Sequence, residues 1–344
     1  MAARTLTQHL LDVGARECDP ALAHILSAVA VSAKLTASAV ARGPLILDAT
    51  GRATATDKQV RRALRRLATD ALLAQTEGIE QLAGISVAGS NRIHQASESG
   101  RYLLLFEAMH GMTNLTDNLP VGSAFSVLER PTRGPCVAED FLQPGSRQIC
   151  AGLSLYGPRT VFVVTTGQGV DGFTLDRDVG NFVLTHPRLR MPSDRPLFVI
   201  NATEAPYWPD PVKRYVEECV QGADGPRGQD YAMRWNASAL VSAFRVLTSG
   251  GLFLVPDTGR TEGWLAPLLH NAAPLAFLAE QAGGGATTGT QRVLDVVPDS
   301  LATRVPLFLG CGSEVERIRR YFDERAEVGE FCHPLFRNRT LFTD

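Results

Sequence analysis

A strand-like apolar run at residues 102–105, Y-L-L-L, leads without a break into F-E-A-M-H-G-M-T-N at residues 106–114. No other stretch constrains the chain as much. Core-forming residues here deliver a carboxylate, an imidazole, a glycine and a carboxamide within nine positions. Glu107 and His110 stand at Glu-x-x-His spacing, which can hold Zn²⁺ or Mn²⁺ if further ligands come from elsewhere. His94 and His270 are the candidates, provided the fold brings them together. Otherwise Glu107 and His110 are solvated or hydrogen-bonded loop residues.

The rest of the sequence bounds the fold class. A chain of 344 residues is long enough for two domains with full cores. A formal net charge of -2 gives no reason to expect nucleic acid or an anionic membrane as a partner. The cysteines (Cys18, Cys136, Cys150, Cys219, Cys311 and Cys332) are scattered, with no C-x-x-C pair. That usage fits a reduced cytoplasmic protein better than a disulfide scaffold or a zinc site. Asp12 and Arg16 interrupt any secretory apolar region. The apolar stretch 21–40 contains His24, Lys34 and several serines, which argues against a membrane span. Its larger apolar residues, Leu22, Ile25, Leu26 and Val29, recur at helical spacing, as in an amphipathic core helix.

The periodicity predicts helices over 4–16, 20–42 and 57–75, the third basic on one face (Lys58, Arg61, Arg62, Arg65, Arg66). That face reads as a solvated surface or a subunit contact. Strands are expected at 84–87, 102–105, 123–128, 149–155 and 160–165, then a meander through 173–175 and 182–184. The segment 187–196 carries three prolines and reads as a linker, which divides the chain into 1–190 and 191–344. Beyond it we expect strands at 197–200 and 251–255 and helices at 210–220, 236–248, 265–282 and 313–324. Gly167-Gln168-Gly169-Val170-Asp171-Gly172 matches G-x-G-x-x-G, but Phe173-Thr174-Leu175-Asp176 continues as a strand. A dinucleotide site needs a helix to begin there, so the glycines read as a hairpin. The run from Gly283 to Gly289 follows a predicted helix and lacks a Walker lysine, so it reads as a helix stop.

Several longer motifs carry a resemblance. They include L-Q-P-G at 142–145, A-G-L-S-L-Y-G at 151–157, G-F-T-L-D at 172–176 and G-N-F-V-L-T-H-P at 180–187. The fullest is E-Q-A-G-G-G-A-T-T-G-T-Q-R-V-L-D-V-V-P at 280–298. Thr5-Leu6-Thr7 near the start and Pro334-Leu335-Phe336 with Leu341-Phe342 at the end add to them. Together they resemble the class 1 fructose-1,6-bisphosphatases over nearly the whole chain. In that light, residues 106–114 are similar to the family's F-D-P-L-D-G-S-S-N, with Phe106, Gly111 and Asn114 kept. The resemblance implies a layered α/β/α/β/α sugar-phosphatase fold of two domains. The altered metal-site motif would lie in the first domain and the sugar-phosphate side of the cleft in the second. It also implies hydrolysis of fructose 1,6-bisphosphate to fructose 6-phosphate and phosphate, in gluconeogenesis or the Calvin cycle, with several Mg²⁺ ions as cofactors.

The same resemblance places the losses. The family's Glu-Glu pair falls within 85–91, I-S-V-A-G-S-N, which has no carboxylate. Glu107 and His110 replace the two signature aspartates, and Asn271 replaces a late glutamate. Of five implied carboxylate positions, only Glu107 keeps one. Arg65 aligns with a further aspartate near the metal centre. The metal set thus reduces to Glu107 and His110, which leaves Mg²⁺ by resemblance and no cofactor at all as the alternatives. No catalytic residue is assigned. In the sugar-phosphate pocket Asn201 and Arg234 survive, with Gly111 and Asn114 beside the 1-phosphate. Glu204, Trp235 and Val255 stand where tyrosines would be, Leu265 where a lysine would be, and Met112 where a serine would be. Tyr207 could substitute for a tyrosine only if its loop shifts. Arg101-Tyr102 is similar to a Lys-Tyr pair of the family's AMP site. Two readings follow. One is an active sugar-bisphosphate phosphatase with a rearranged site. The other is a non-catalytic paralogue: a scaffold, a regulatory partner, or a binder of a sugar phosphate or another small anion. Ligand loss on this scale favours the second. By family, the chain would form a homotetramer, or a mixed oligomer with an active paralogue.

Overall fold

The computed structural model describes residues 4–14, 19–47, 56–260 and 265–331. The Cys18, Cys332 and C-terminal P-L-F readings lie outside them. Three helices come first: α1 (Leu6–Gly14), α2 (Pro20–Arg42) and α3 (Asp57–Thr76). Asp19 caps α2 by accepting the Ala21 N–H at 2.9 Å, with Pro20 at the first helical position. At α3, Thr56 and Gln59 form a capping box. Helix α2 is long and apolar enough to cross a bilayer by length and composition, but over half of that stretch is buried within the fold. Ile25, Leu26 and Val29 face inward, as their spacing predicts.

An eight-stranded sheet follows. Its strands are β1 (Leu82–Val87), β2 (Ile93–Gln95), β3 (Tyr102–His110), β4 (Val121–Glu129), β5 (Gln148–Tyr156), β6 (Thr160–Thr165), β7 (Val170–Asp176) and β8 (Asn181–Leu189). The order is β2-β1-β3-β4-β5-β6-β7-β8, antiparallel except between β1 and β3. Alternate residues of β6 serve different cores. Phe162 and Val164 pack beneath α2 and α3, while Val161 and Val163 face the opposite side. The strands β1 and β3–β6 are therefore buried on both faces and read as near-continuous apolar runs, whereas β2, β7 and β8 are only partly buried. The glycine-rich 167–172 segment joins β6 to β7 as an antiparallel hairpin, with Thr165 opposite Val170.

The second half begins with β9 (Leu197–Val199), α4 (Asp210–Val220), β10 (Ala232–Arg234), α5 (Ala239–Ser249) and β11 (Leu252–Val255). A two-residue strand, β12 (Ala266–Pro267), precedes α6 (Ala273–Gln281). The chain ends with β13 (Gly284–Thr287), β14 (Arg304–Val305), β15 (Leu307–Cys311) and α7 (Gly312–Phe331). A five-stranded sheet runs β10-β9-β11-β15-β13, and β12 pairs with β14. Helices α5 and α6 fill the space between the two sheets, and α4 and α7 cover the far face of the second. The layers are thus α/β/α/β/α.

Several boundaries differ from expectation. Strand β3 runs on to His110, so Glu107 and His110 are strand residues and not loop residues. Strand β8 reaches Leu189 and absorbs the start of the proline-rich 187–196 segment. Helix α5 starts at Ala239, because Asn236 turns back to accept the Ser238 N–H through its side chain at 2.9 Å. The single helix expected over 265–282 is three pieces: β12, a π turn at Leu268–Ala272, and α6. The Ala273 N–H reaches back to the Leu268 carbonyl, and Pro274 has no N–H to offer. Gly283 does stop α6 with a positive φ, but a strand follows it at once.

A buried ion pair braces the first sheet. Arg130 Nε lies 3.5 Å from Asp140 Oδ2, both side chains nearly inaccessible. Burial pushes the Asp140 carboxyl up. The Thr132 hydroxyl at 2.5 Å, the Val137 N–H at 3.0 Å and the Arg130 charge outweigh it, so the group titrates below the ordinary carboxylate value. Its stabilisation is complete above the unfolded pKa, about 4, and is lost as pH falls through the lower folded value. Asp140→Asn should cost about 2 kcal/mol at neutral pH, and the gap should begin to close as pH falls below about 4 and vanish only below the lowered folded pKa. Equal urea midpoints for the two proteins at pH 7 would contradict this.

Candidate functional site

Strand β3 carries two polar side chains into the gap between the sheets. Residues three apart on a regular strand face opposite ways. An irregularity in the β3–β4 register between Glu107 and His110 removes that opposition. His110 Nδ1 thereby sits 2.9 Å from Glu107 Oε1. The π turn adds the third member: Asn271 Nδ2 donates to Glu107 Oε2 at 2.9 Å and lies 3.2 Å from His110 Nδ1. Both oxygens of Glu107 are therefore engaged by protein groups. Burial alone would raise the Glu107 carboxyl and lower the His110 imidazole. Their mutual attraction and the Asn271 amide prevail, so Glu107 is held below its ordinary pKa and His110 above. Arg65 and Arg304 lie close enough to push the His110 value back down. Despite its exposed position on α3, Arg65 thus contributes positive charge to this cluster.

His270, on the same π turn, is buried and meets Ser86 of β1, with Nε2 3.0 Å from the hydroxyl. Burial lowers its pKa to about 4, so it is neutral at physiological pH. His94 does not join the cluster. It sits on edge strand β2 and lines a separate surface cleft with Ile85, Glu77 and Glu80.

Gly111 ends β3 in the left-handed region, with φ 72°. A Cβ there would lie 2.4 Å from the Cβ of Ser238, the residue that opens α5. The glycine therefore permits the strand end and the helix start to close one wall of the cleft. Asn114 fastens the same wall from within, donating to the Pro120 carbonyl at 2.8 Å and to Asn236 Oδ1 at 2.9 Å. Gly111→Ala should cost about 1 kcal/mol in backbone strain and at least about as much again in displacing Ser238. A thermal melt unchanged from the parent would refute this account of the glycine.

The cavity facing Glu107 and His110 has a volume of about 310 Å³. Asn201 and Glu204 line it, as do Trp235, Val255, Leu265 and Asn271. Asn201 also caps the short helix Ala202–Tyr207, accepting the Thr203 N–H at 3.2 Å. Arg234 does not line this cavity. It lies exposed on β10, at the sheet edge, and donates to the Met233 carbonyl at 2.9 Å. Tyr207 is exposed beneath the Arg260 guanidinium, 4.1 Å from its ring centroid, and does not replace a missing tyrosine. Sequence reasoning passed over Arg304, Asn236 and Trp208, which come together here only through long-range packing. At the Arg101-Tyr102 pair, Arg101 contacts Asp19 at 3.3 Å and Glu129 at 2.6 Å, and the Tyr102 hydroxyl donates to Asp19 at 2.7 Å.

Comparison with known proteins decides the family. Residues 4–187 match the description "Fructose-1-6-bisphosphatase, N-terminal domain", and residues 191–323 match "Fructose-1-6-bisphosphatase, C-terminal domain". The chain belongs to the fructose-1,6-bisphosphatase family. It is 39% identical over 347 aligned positions to a class 1 fructose-1,6-bisphosphatase of Methylacidiphilum infernorum (isolate V4), covering 98% of each chain. Its fold is similar to Leishmania major fructose-1,6-bisphosphatase in holo form (TM-score 0.81, 28% identity, 93% of this chain and 99% of that one). The T-state form of that enzyme gives TM-score 0.82 at 27% identity, covering 94% and 100%.

Members of the fructose-1,6-bisphosphatase family generally use a divalent metal such as Mg²⁺. The donors in this cleft do not fit that ion. Mg²⁺ demands near-octahedral oxygen coordination, chiefly from carboxylates, phosphates and water. Here the single cluster carboxylate is already bonded through both oxygens, and Arg65 adds positive charge nearby. Among the described residues no group of three or more His, Cys, Asp or Glu side chains is placed to hold an ion. One buried acceptor in the cluster, Asn271 Oδ1, has no hydrogen-bond partner, and a single neutral oxygen does not make a dication site.

Proposed function

We propose that this chain is a member of the fructose-1,6-bisphosphatase family that does not carry out metal-dependent phosphate hydrolysis and works as a small-molecule-binding or regulatory protein. One observation carries this reading. The only carboxylate left from the implied metal set, Glu107, is hydrogen-bonded to His110 at 2.9 Å through one oxygen and to Asn271 at 2.9 Å through the other. Metal catalysis of phosphoryl transfer needs an ion held with open positions for the phosphate and the attacking water. A carboxylate engaged in this way offers neither the charge nor the geometry.

We place the protein in the cytoplasm and propose a homo-oligomer, a homotetramer by family, or a mixed oligomer with an active paralogue. We divide the chain near residue 190 into a domain carrying the altered β3 motif and one carrying the other side of the cleft. The test is release of inorganic phosphate from fructose 1,6-bisphosphate with Mg²⁺ and with Mn²⁺. Turnover comparable to that of an ordinary family member overturns the proposal. Restoring aspartate at both Glu107 and His110 should not revive activity, because residues 85–91 still carry no carboxylate and Asn271 supplies no charge. A large gain from that double change would show a more complete site than we propose.

A further inference from the structure

Among the described residues, acidic and basic side chains on the cavity wall are equal in number. Glu107 and Glu204 are the acidic groups, Arg304 and His110 the basic ones. His110 is committed to Glu107 at 2.9 Å, and Arg304 donates to the Leu265 carbonyl at 2.8 Å. Arg65 acts on His110 from outside the cavity lining. A phosphate dianion entering this space would need convergent cations or several aligned N–H donors to offset its lost hydration. Among the described residues Arg304 is the one guanidinium in the wall, and the Glu204 carboxylate shares that wall.

The remaining wall is largely apolar. Trp208, Phe253, Val255, Pro256 and Leu265 line it. Trp235 lines it too, with 42% of its surface exposed, as a large aromatic face open to an incoming molecule. Pockets that bind small molecules combine such surfaces with a few polar groups that orient the ligand. An exposed indole in such a wall is suited to stacking on a planar ring.

We infer that this cleft takes an uncharged, planar ring-bearing small molecule with one hydrogen-bonding head, and not a phosphorylated sugar. The inference rests on the proposed loss of phosphatase chemistry and names the class of ligand the vacated cleft now suits. Ring and head divide the wall between them: the ring packs against Trp235 and Val255, and the head meets the polar corner at Glu107, Asn201 and Asn271.

Calorimetric titration of the full chain with 2-naphthol and with 2-naphthyl phosphate tests it, since the pair shares a ring and differs by a dianion. Fructose 1,6-bisphosphate is the third titrant. 2-Naphthol should bind at least about tenfold more tightly than either phosphate ester, because burying an uncompensated dianion is costly. Trp235→Ala should weaken 2-naphthol binding about fivefold or more by removing the stacking face. This residue is exposed enough that folding is not at stake. Leu265→Lys should narrow or reverse the preference by adding a second full positive charge to the cavity wall.

A phosphate ester bound as tightly as 2-naphthol overturns the inference, as does 2-naphthol affinity indifferent to Trp235→Ala or absence of 2-naphthol binding. Failure of the non-hydrolysing reading registers separately, as inorganic phosphate released from fructose 1,6-bisphosphate.

Discussion

Purified protein given fructose 1,6-bisphosphate with Mg²⁺ or Mn²⁺ should release phosphate at least about a thousandfold more slowly than an ordinary family member assayed beside it. The size follows from what a metal contributes. Stabilisation of the transferring phosphoryl group by bound ions amounts to several kcal/mol, and about 1.4 kcal/mol is a factor of ten in rate. Losing about 4 kcal/mol already gives about a thousandfold. The protein has no evident way to offset that loss at this position. Glu107 is bonded at both oxygens, Ser86 is directed to His270, and Asn271 is neutral. Release within about tenfold of the reference enzyme, a gap of about 1.4 kcal/mol, would sink the reading.

The largest expected effect on stability lies far from the cleft. Arg227 is almost wholly buried between α4 and α7. Its Nη1 reaches both oxygens of Glu314 at 3.0 Å, and its Nε lies 3.3 Å from Glu218 Oε2. The guanidinium also stacks 4.5 Å from the centroid of the Tyr215 ring and 5.2 Å from that of Tyr231. The Tyr215 and Tyr231 hydroxyls complete the shell of Glu314. Arg227→Met should lose about 3–5 kcal/mol in urea unfolding, because it removes the hydrogen-bonded counterion of buried Glu314 and leaves only Arg317, at 4.0 Å, near it. Glu314→Gln should lose less, since it leaves no buried carboxylate without a counterion, although its single amide oxygen can accept from only one of the two tyrosines. A loss below about 1 kcal/mol for Arg227→Met would assign this network the weight of a surface ion pair.

Much of the architecture was legible in local sequence. Apolar periodicity located α2 and α3. Apolar runs marked the central strands of the sheet, because those strands are buried on both faces. The G-x-G-x-x-G segment was correctly set aside, since strand residues follow its last glycine. What was not legible depended on register and on distant partners. Nothing local to residues 106–110 announces the irregular pairing that turns Glu107 and His110 to one side. Arg304 reaches the cluster through a pairing of two-residue strands, β12 with β14, far too short for a periodicity signal. Arg234 kept its family residue type, yet edge strand β10 holds it away from the cavity that its sequence position suggested. Residue identity carried over in the alignment; side-chain direction did not.

The π turn at Leu268–Ala272 has a consequence for the kinds of genetic change this cleft tolerates. Such a turn is in effect one residue too many for a regular helix. Leu275, Leu278 and Ala279 anchor α6 in the core between the sheets, so the body of the helix is fixed. Deleting a single codon in the turn would let a plain α-helix form and would swing the preceding residues through about 100°. His270 would leave Ser86 and Asn271 would leave Glu107, with no side chain of the cluster altered. The length of the chain at this point, and not only its chemistry, determines which groups face the cavity. In-frame deletions here should therefore be more disruptive than most point substitutions.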